Sequence, residues 1–365
     1  MAEPLKNIYN RPFFDKFLAY LPEVTPSVFL EKIHDGDWEQ RELKQRMRHI
    51  SVTLGELLPN DFGEAMRILR QCVDKMRSQQ RSEMNFGFMF LPDFIEVFGL
   101  PHFEESIEAM TDLTQFTSCE FAVRPFLIRY GDQMMQQMYV WSNHSHPMVR
   151  RLASEGARPR LPWAMAVPTL KKDPLPILPI LEMLKNDSSE TVRRSVANNL
   201  NDIAKDHPDF VLNIMQNWRN VSPETDWVIR HGSRTLLKRA NVKALQNFGF
   251  QEIIPVEVVD LTININTLSI GDALTFTFSI KNLSDTEGCK MRLEYGIDYM
   301  KSNGKTSRKI FQITETMLEQ GKTRTFTRQQ SFKNLTTRKH YAGEHSLAII
   351  VNGQEKSLIS FYLSA

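Results

Sequence analysis

The spacing of hydrophobic and polar positions changes near residue 250. Before that point apolar residues recur at intervals of three and four, as they do from Phe126 to Trp141 and from Phe210 to Trp218. This spacing is typical of amphipathic helices, and prolines and glycines separate the apolar segments. The pattern therefore predicts a helical region over residues 1–253.

After residue 253 the hydrophobic positions alternate with polar ones, and Gly, Asn, Asp and Lys separate the runs. Alternation over four to eight residues indicates a half-buried strand. Seven short strands in about 110 residues are typical of an immunoglobulin-like β-sandwich over residues 254–365. The predicted strands are Val256–Ile263, Leu274–Ile280, Met291–Tyr295, Arg308–Ile313, Thr323–Phe332, Ser346–Val351 and Ser357–Leu363.

The helical region contains a weak internal repeat. The segment Met148–Ala153 resembles Thr191–Ala197, which lies 43 residues further on, and Val228–His231 continues the series. A period near 40 that is built of helix pairs is typical of HEAT-like repeats. In such an array the valines pack between neighbouring helices and the arginines line one face. The fold class predicted is a HEAT-like α-helical repeat array followed by an immunoglobulin-like β-sandwich.

Composition limits the remaining classes. The hydrophobic fraction is 41% and the charged fraction 24%, which excludes collagen-like, disordered and coiled-coil chains. The sequence has no apolar run long enough for a membrane span, and its start does not resemble a signal peptide. The three cysteines, Cys72, Cys119 and Cys289, form no CxxC pair, so we expect neither a disulfide framework nor a zinc cluster. We expect a protein of the cytoplasm.

Charge is distributed unevenly along the chain. Residues 1–118 carry 13 Lys and Arg against 19 Asp and Glu, a net charge of −6, whereas residues 119–253 carry 18 against 13, or +5. Residues 254–365 carry 14 against 11, or +3. An acidic first third joined to a basic remainder suggests a surface that faces a polyanion. A solvated surface with a chance imbalance explains the same numbers.

The region from residue 119 to residue 163 holds the densest set of candidate functional groups, with four arginines, one glutamate and one tryptophan between Arg150 and Trp163. The sequence contains no Gly-rich phosphate loop, HExxH motif or GxSxG motif, and we expect no metal. Each member also has an ordinary explanation, because Glu120 and Arg124 fit an i,i+4 pair and Trp163 fits a core position. Together, carboxylates in an arginine-rich face suggest a positioned functional acid.

Three segments of the sequence resemble the AlkC branch of the AlkC/AlkD HEAT-like DNA alkylation repair glycosylases. They are Glu3–Tyr9, Ser118–Phe126, and the stretch from Arg150 through Gly156 to Trp163. The resemblance spans essentially the whole chain, and some AlkC members also carry an immunoglobulin-like domain. It implies Glu120, Glu155, Trp163 and Arg151 as active-site residues.

The same resemblance implies a monofunctional hydrolase that excises cationic N-alkylated bases such as 3-methyladenine and 3-methylcytosine. It further implies no cofactor and little or no enclosure of the base. An alkylated base that is already cationic leaves neutral, so the reaction needs no general acid. A fixed carboxylate near the sugar would instead stabilise an oxocarbenium-like transition state. Which of Glu120 and Glu155 dominates stays open.

The expected partner is double-stranded DNA with alkylated bases, bound by a monomer through its phosphates. Two other function classes remain open, namely a non-catalytic HEAT-repeat scaffold and a DNA-binding protein that senses lesions. Whether the sandwich contacts DNA or only stabilises the protein is also open. The candidate DNA-binding residues are Arg124, Arg150, Arg158, Arg160, Arg194, Arg230, Lys281 and Lys305.

Overall fold

A computed structural model describes residues 3–79, 86–335 and 338–365. In the described residues, helices are the regular structure up to residue 247, and strands follow from residue 256. The α-helices are α1 Arg11–Leu18, α2 Pro26–Ile33, α3 Leu43–Leu57, α4 Phe62–Gln79, α5 Phe90–Phe98, α6 Phe103–Leu113, α7 Val123–Tyr130, α8 Asp132–Ser142, α9 Pro147–Gly156, α10 Pro168–Lys172, α11 Leu178–Leu184, α12 Glu190–Ile203, α13 Pro208–Trp218, α14 Pro223–Gly232, α15 Arg234–Lys238 and α16 Val242–Asn247. Short 3-10 helices span Leu5–Ile8, Trp38–Gln40, Phe86–Phe88 and Leu175–Ile177.

The chain forms two compact units, and these do not divide where helix gives way to strand. Unit 1 contains Met1–His207 and Trp218–Gly232, and unit 2 contains Pro208–Asn217 and Ser233–Ala365. Most of α13 and all of α15 and α16 therefore belong with the strands. The predicted boundary at residue 253 marks the change of secondary structure and not the boundary between the units.

The predicted repeat organises unit 1. Helix α12 packs against both α9 and α14, and these three helices carry the three repeated segments. Val149, Val192 and Val228 are completely buried, as expected for residues between stacked helices. In the N-terminal part, buried aromatic side chains contact one another, and Trp38 packs among them against Phe14. Phe86, by contrast, is exposed.

Unit 2 contains a two-sheet sandwich. Its strands are β1 Val256–Ile263, β2 Thr267–Ser269, β3 Ala273–Asn282, β4 Cys289–Met300, β5 Thr306–Leu318, β6 Thr323–Ser331, β7 Gly343–Val351 and β8 Gln354–Ser364. One sheet has the order β1-β3-β6 and the other β2-β8-β7-β4-β5. Alternate residues of β3, from Leu274 to Ile280, are completely buried between the sheets. The seven predicted strands are present, and the short parallel strand β2 is an addition.

Candidate active site

A groove of about 420 Å³ lies in unit 1. Four chain segments form it, namely the short stretch before α5, the turn before α7, the helix α9 and the loop that follows α9. Its described lining residues combine apolar, acidic and basic side chains, which are Phe86, Met89, Thr117, Ser118, Glu120, Phe121, Arg151, Glu155, Arg158, Leu161, Pro162 and Trp163. The four predicted active-site residues are all among them.

Local sequence fixes where helix α9, one wall of the groove, begins and ends. Helix α9 begins at Pro147, and the His146 side chain accepts a hydrogen bond from the Met148 amide to cap it. The helix ends at Gly156, where an added Cβ would lie 2.6 Å from a methyl carbon of Val123 and 2.8 Å from the terminal carbon of Met138. Only glycine therefore lets α9 approach α7 and α8 this closely.

Glu120 lies in the turn before α7, and only one of its two carboxylate oxygens accepts hydrogen bonds from described residues. Its Oε2 accepts a hydrogen bond of 2.7 Å from the Ser118 hydroxyl and one of 2.7 Å from Nη2 of Arg151. Among the described residues nothing donates to Oε1, and the side chain is 16% exposed. The second oxygen is thus available to the groove. The suggested i,i+4 pair with Arg124 does not form, because Glu120 precedes the helix.

Glu155 lies deeper, on the inner face of α9, and its side chain is 7% exposed. Oε1 accepts from Nη1 of Arg158 at 2.6 Å, and Oε2 accepts from the Ser195 hydroxyl at 2.6 Å. Nη2 of Arg151 lies 3.8 Å from Oε1. The guanidinium of Arg151 therefore stands between the two glutamates and brings both carboxylates to one groove.

The ion pairs continue inward from Glu155. Nη2 of Arg158 lies 2.7 Å from Oδ2 of Asp202, and Nζ of Lys205 lies 2.8 Å from the other oxygen of Asp202. Burial opposes the charged form of Arg158, but Glu155 and Asp202 raise its pKa above the ordinary value. Charges of opposite sign thus alternate from Glu120 to Lys205 and hold each carboxylate in one orientation.

Trp163 lies at the edge of the groove and is 62% exposed, so the expectation that it fits a core position is wrong. Its φ of 65° is in the left-handed region. The amide of Ala164 donates to the carbonyl of Leu161 at 3.3 Å, which closes a turn with Pro162 second and Trp163 third. A type II turn requires φ > 0 at the third position and normally has glycine there. Such an outlier on an exposed aromatic residue of the groove motivates the hypothesis of a functional role.

The prediction that Arg124 contacts DNA is corrected by its burial. The side chain is completely buried on α7. Nη1 donates to the carbonyls of Gly156 and Arg158 at 2.9 and 2.5 Å, and Nε donates to the carbonyl of Met165 at 2.8 Å. Burial, aided by the charge of Arg158, lowers the pKa of Arg124 to about 10, so it remains cationic at neutral pH. Arg124 therefore holds the end of α9 and the loop after it through hydrogen bonds to three backbone carbonyls.

The other predicted DNA-binding residues differ in accessibility. Arg158 is buried between two carboxylates, so its prediction as a DNA contact is corrected as well. Arg150 is mostly buried beside Asp187, and Arg230 is half-buried. Exposed or partly exposed side chains remain at Arg160, Arg194, Lys281 and Lys305. Their contact with DNA stays a prediction.

Sequence reasoning missed Ser118 and Ser195, which donate to Glu120 and Glu155, and Asp202, which accepts from Arg158. It also missed Lys44, whose ammonium donates to the Trp163 carbonyl. Only Ser118 had a local signal, because it stands two residues before Glu120. The other three come from helices 40 or more residues away in sequence from their partners.

The described ranges hold neither a metal-type cluster nor a membrane-spanning helix. No cluster of three or more His, Cys, Asp or Glu within them has the arrangement of a metal site. No helix in residues 3–79, 86–335 or 338–365 is both long and apolar enough to cross a membrane. The three cysteines are buried and form no disulfide.

The fold and this groove define a class of helical-repeat proteins with a C-terminal immunoglobulin-like domain. The family described as DNA alkylation repair enzyme matches residues 42–236. A second family, described as the C-terminal Ig-like domain of uncharacterised protein YhaZ, matches residues 257–365. The chain belongs to the DNA alkylation repair enzyme family.

Two individual proteins are similar over nearly the full length. The chain is 44% identical over 361 residues to uncharacterized protein YhaZ of Bacillus subtilis (strain 168), covering 98% of each sequence. A solved structure of Pseudomonas fluorescens alkylpurine DNA glycosylase AlkC, bound to DNA containing an abasic site analogue, matches with a TM-score of 0.93. The identity is 33%, and the match covers 100% of both chains. The predicted fold class and the resemblance to the AlkC branch are confirmed.

Proposed function

We propose that this protein is a DNA glycosylase that hydrolyses the N-glycosidic bond of cationic N-alkylated bases, such as 3-methyladenine and 3-methylcytosine, in duplex DNA. One observation carries the proposal, which is that Arg151 brings Glu120 and Glu155 together in a groove beside the exposed ring of Trp163. Membership of the alkylation repair family, and the likeness to an alkylpurine glycosylase bound to DNA, support the same activity.

The chemistry follows from the charge of the lesion. A ring-alkylated base carries a positive charge and leaves as a neutral molecule, so no proton donor is required. Positive charge instead develops on the deoxyribose as the bond breaks. A carboxylate that is already fixed in position stabilises that charge without reorganising, and water exclusion by the Trp163 ring would strengthen the effect.

The two glutamates have different surroundings, which suggests different roles. Both oxygens of Glu155 accept hydrogen bonds within the protein. We therefore assign Glu155 to positioning Arg151 and to adding negative charge near the sugar. Glu120 has one oxygen without a described donor, so we assign it to facing the sugar and orienting the attacking water. The described lining of the groove contains no lysine that could form a covalent adduct, which supports a monofunctional enzyme.

The enzyme acts on DNA that its exposed cations hold by the phosphates, without sequence readout. Arg160 and Arg194 are the accessible predicted contacts in unit 1, and Lys281 and Lys305 are those in unit 2. Action with little or no base flipping, a monomeric state and a cytoplasmic location remain predictions from the sequence.

The test is a single-turnover assay of base release from methylated duplex DNA. We expect Glu120→Gln to lower the rate by about 100- to 1,000-fold, the usual effect of losing a preorganised stabilising group. Affinity for DNA should change little, because the substitution keeps the shape of the side chain. Glu104→Gln on α6 is the matched control, since Glu104 is exposed and lies outside the groove.

The outcomes separate the alternatives. Release of methylated base by the wild-type protein excludes both a scaffold and a lesion sensor. Specific binding of alkylated DNA without release would favour the sensor. If release occurs but Glu120→Gln and Glu155→Gln both keep the full rate, the assignment of these carboxylates is wrong. Comparing 3-methyladenine, 3-methylcytosine and 7-methylguanine substrates defines the lesion range.

A further inference from the structure

The turn that carries Trp163 lacks the glycine that a type II turn normally has at its third position. Tryptophan is poorly suited to a φ of 65°, because its Cβ crowds the backbone in the left-handed region. The ring is mostly exposed, so burial of the indole does not compensate. Pro162 restricts the residue before it but leaves the φ of Trp163 free. Another contact must hold this conformation.

Lys44 of α3 supplies such a contact. Its Nζ donates a hydrogen bond of 2.8 Å to the carbonyl oxygen of Trp163, from 119 residues away in the sequence. The same ammonium lies 5.3 Å from the centroid of the Phe121 ring, a cation–π distance. Phe121 directly follows Glu120. One cation therefore touches both the turn of Trp163 and the segment that carries the candidate carboxylate.

Lys44 lines a second groove, which adjoins the first one. This second groove, of about 480 Å³, shares Met89, Ser118 and Phe121 with the first one, and Lys44 lines it. It also contains the carboxylates of Asp93 and Glu96, but both pair with Arg48. Within the part of the chain that the structure describes, Lys44 makes no ion pair, and its ammonium donates a hydrogen bond to the Trp163 carbonyl.

We propose that Lys44 is a positioning residue that locks the Trp163 turn and the Glu120 segment into one arrangement. This proposal rests on the proposed glycosylase function for its kinetic consequence, but its structural part stands separately. Lys44 acts through Trp163 and Phe121 and does not touch the reacting atoms. The indole is then already placed at the edge of the groove when DNA arrives, so binding does not have to order it.

The kinetic test compares three variants in the base-release assay. Lys44→Met keeps the aliphatic stem but removes the donor, and we expect the rate at saturating DNA to fall roughly tenfold. Lys44→Arg restores a cationic donor and should recover most of that rate. Lys16→Met on α1 removes the same charge from an exposed position and should leave the rate unchanged.

The salt dependence of DNA binding separates positioning from a direct phosphate contact. A residue that neutralises one phosphate contributes about 0.9 to the slope of log K against log salt. We expect the slope of Lys44→Met to match that of the wild type. A slope reduced by about one, together with an unchanged saturating rate, would mean that Lys44 binds phosphate and would overturn the proposal.

A fluorescence measurement tests the structural part without any substrate. Subtracting the emission of the matching Trp163→Phe protein isolates the signal of residue 163 in wild type, Lys44→Met and Lys16→Met. We expect faster local depolarisation of that signal in Lys44→Met alone. Identical depolarisation in all three would overturn the positioning role. Absence of base release by the wild type would instead refute the proposed function and leave this readout valid.

Discussion

Arg124→Met is the substitution for which the structure and the sequence give opposite expectations. The sequence suggests a DNA contact, in which case the loss would weaken DNA binding and leave stability unchanged. In the structure the guanidinium is buried and donates to the carbonyls of Gly156, Arg158 and Met165. Its loss should therefore destabilise unit 1.

The size of the effect follows from those three hydrogen bonds. Each buried carbonyl that loses its donor costs about 1–3 kcal/mol. Methionine fills much of the same volume, and removing a buried charge recovers part of the desolvation free energy. We expect a net decrease of about 3 kcal/mol in the free energy of unfolding of unit 1.

Intrinsic fluorescence during urea unfolding measures this unit selectively, because all five tryptophans of the chain belong to it. They are Trp38, Trp141, Trp163, Trp218 and Trp227. Arg194→Met is the matched control, since Arg194 is exposed and forms an i,i+4 pair with Glu190 on α12. Such a pair contributes no more than about 0.5 kcal/mol. Unchanged stability of Arg124→Met with uniformly weaker DNA binding would refute the structural role.

Two further predictions concern unit 2. Burial lowers the pKa of His345, whose neutral ring donates to the Gly343 carbonyl and accepts from the Met300 amide. The unfolded state then binds a proton more readily, so stability should be complete above pH 6.5 and decrease as the pH falls below it. Urea unfolding of unit 2 at pH 7.5 and 5.5 measures this, and equal stabilities would contradict it. Replacing Lys281 and Lys305 by alanine should reduce the salt slope of DNA binding by up to about two, whereas an unchanged slope would assign the sandwich a purely stabilising role.

The elements of the fold were predictable because their signals are local. Periods of three to four and of two residues depend on neighbouring positions, and they identified the helical region and seven of the strands. Strand β2 was missed because its three residues are too short to show alternation, and its parallel partner β8 lies almost 100 residues later. Contacts at such a separation depend on the completed fold.

The candidate site was predictable in its members but not in its connections. The sequence suggested Glu120 and Arg124 as a pair, whereas Glu120 instead binds Arg151, 31 residues away. Arginine is usually exposed, so a completely buried Arg124 is unexpected from composition. Its burial is tolerated only because a loop more than 30 residues later presents three carbonyl oxygens. That arrangement has no signature around residue 124.

The interleaving of the two units in sequence has a practical consequence for dissecting the protein. The chain crosses between them after His207, after Asn217 and after Gly232, so three covalent connections join them. A recombinant fragment that stops at residue 253 would keep α13, α15 and α16 but lose the sandwich, which belongs with them to unit 2. Point substitutions on each unit are therefore a cleaner way to apportion DNA affinity than a truncation at the start of the strands.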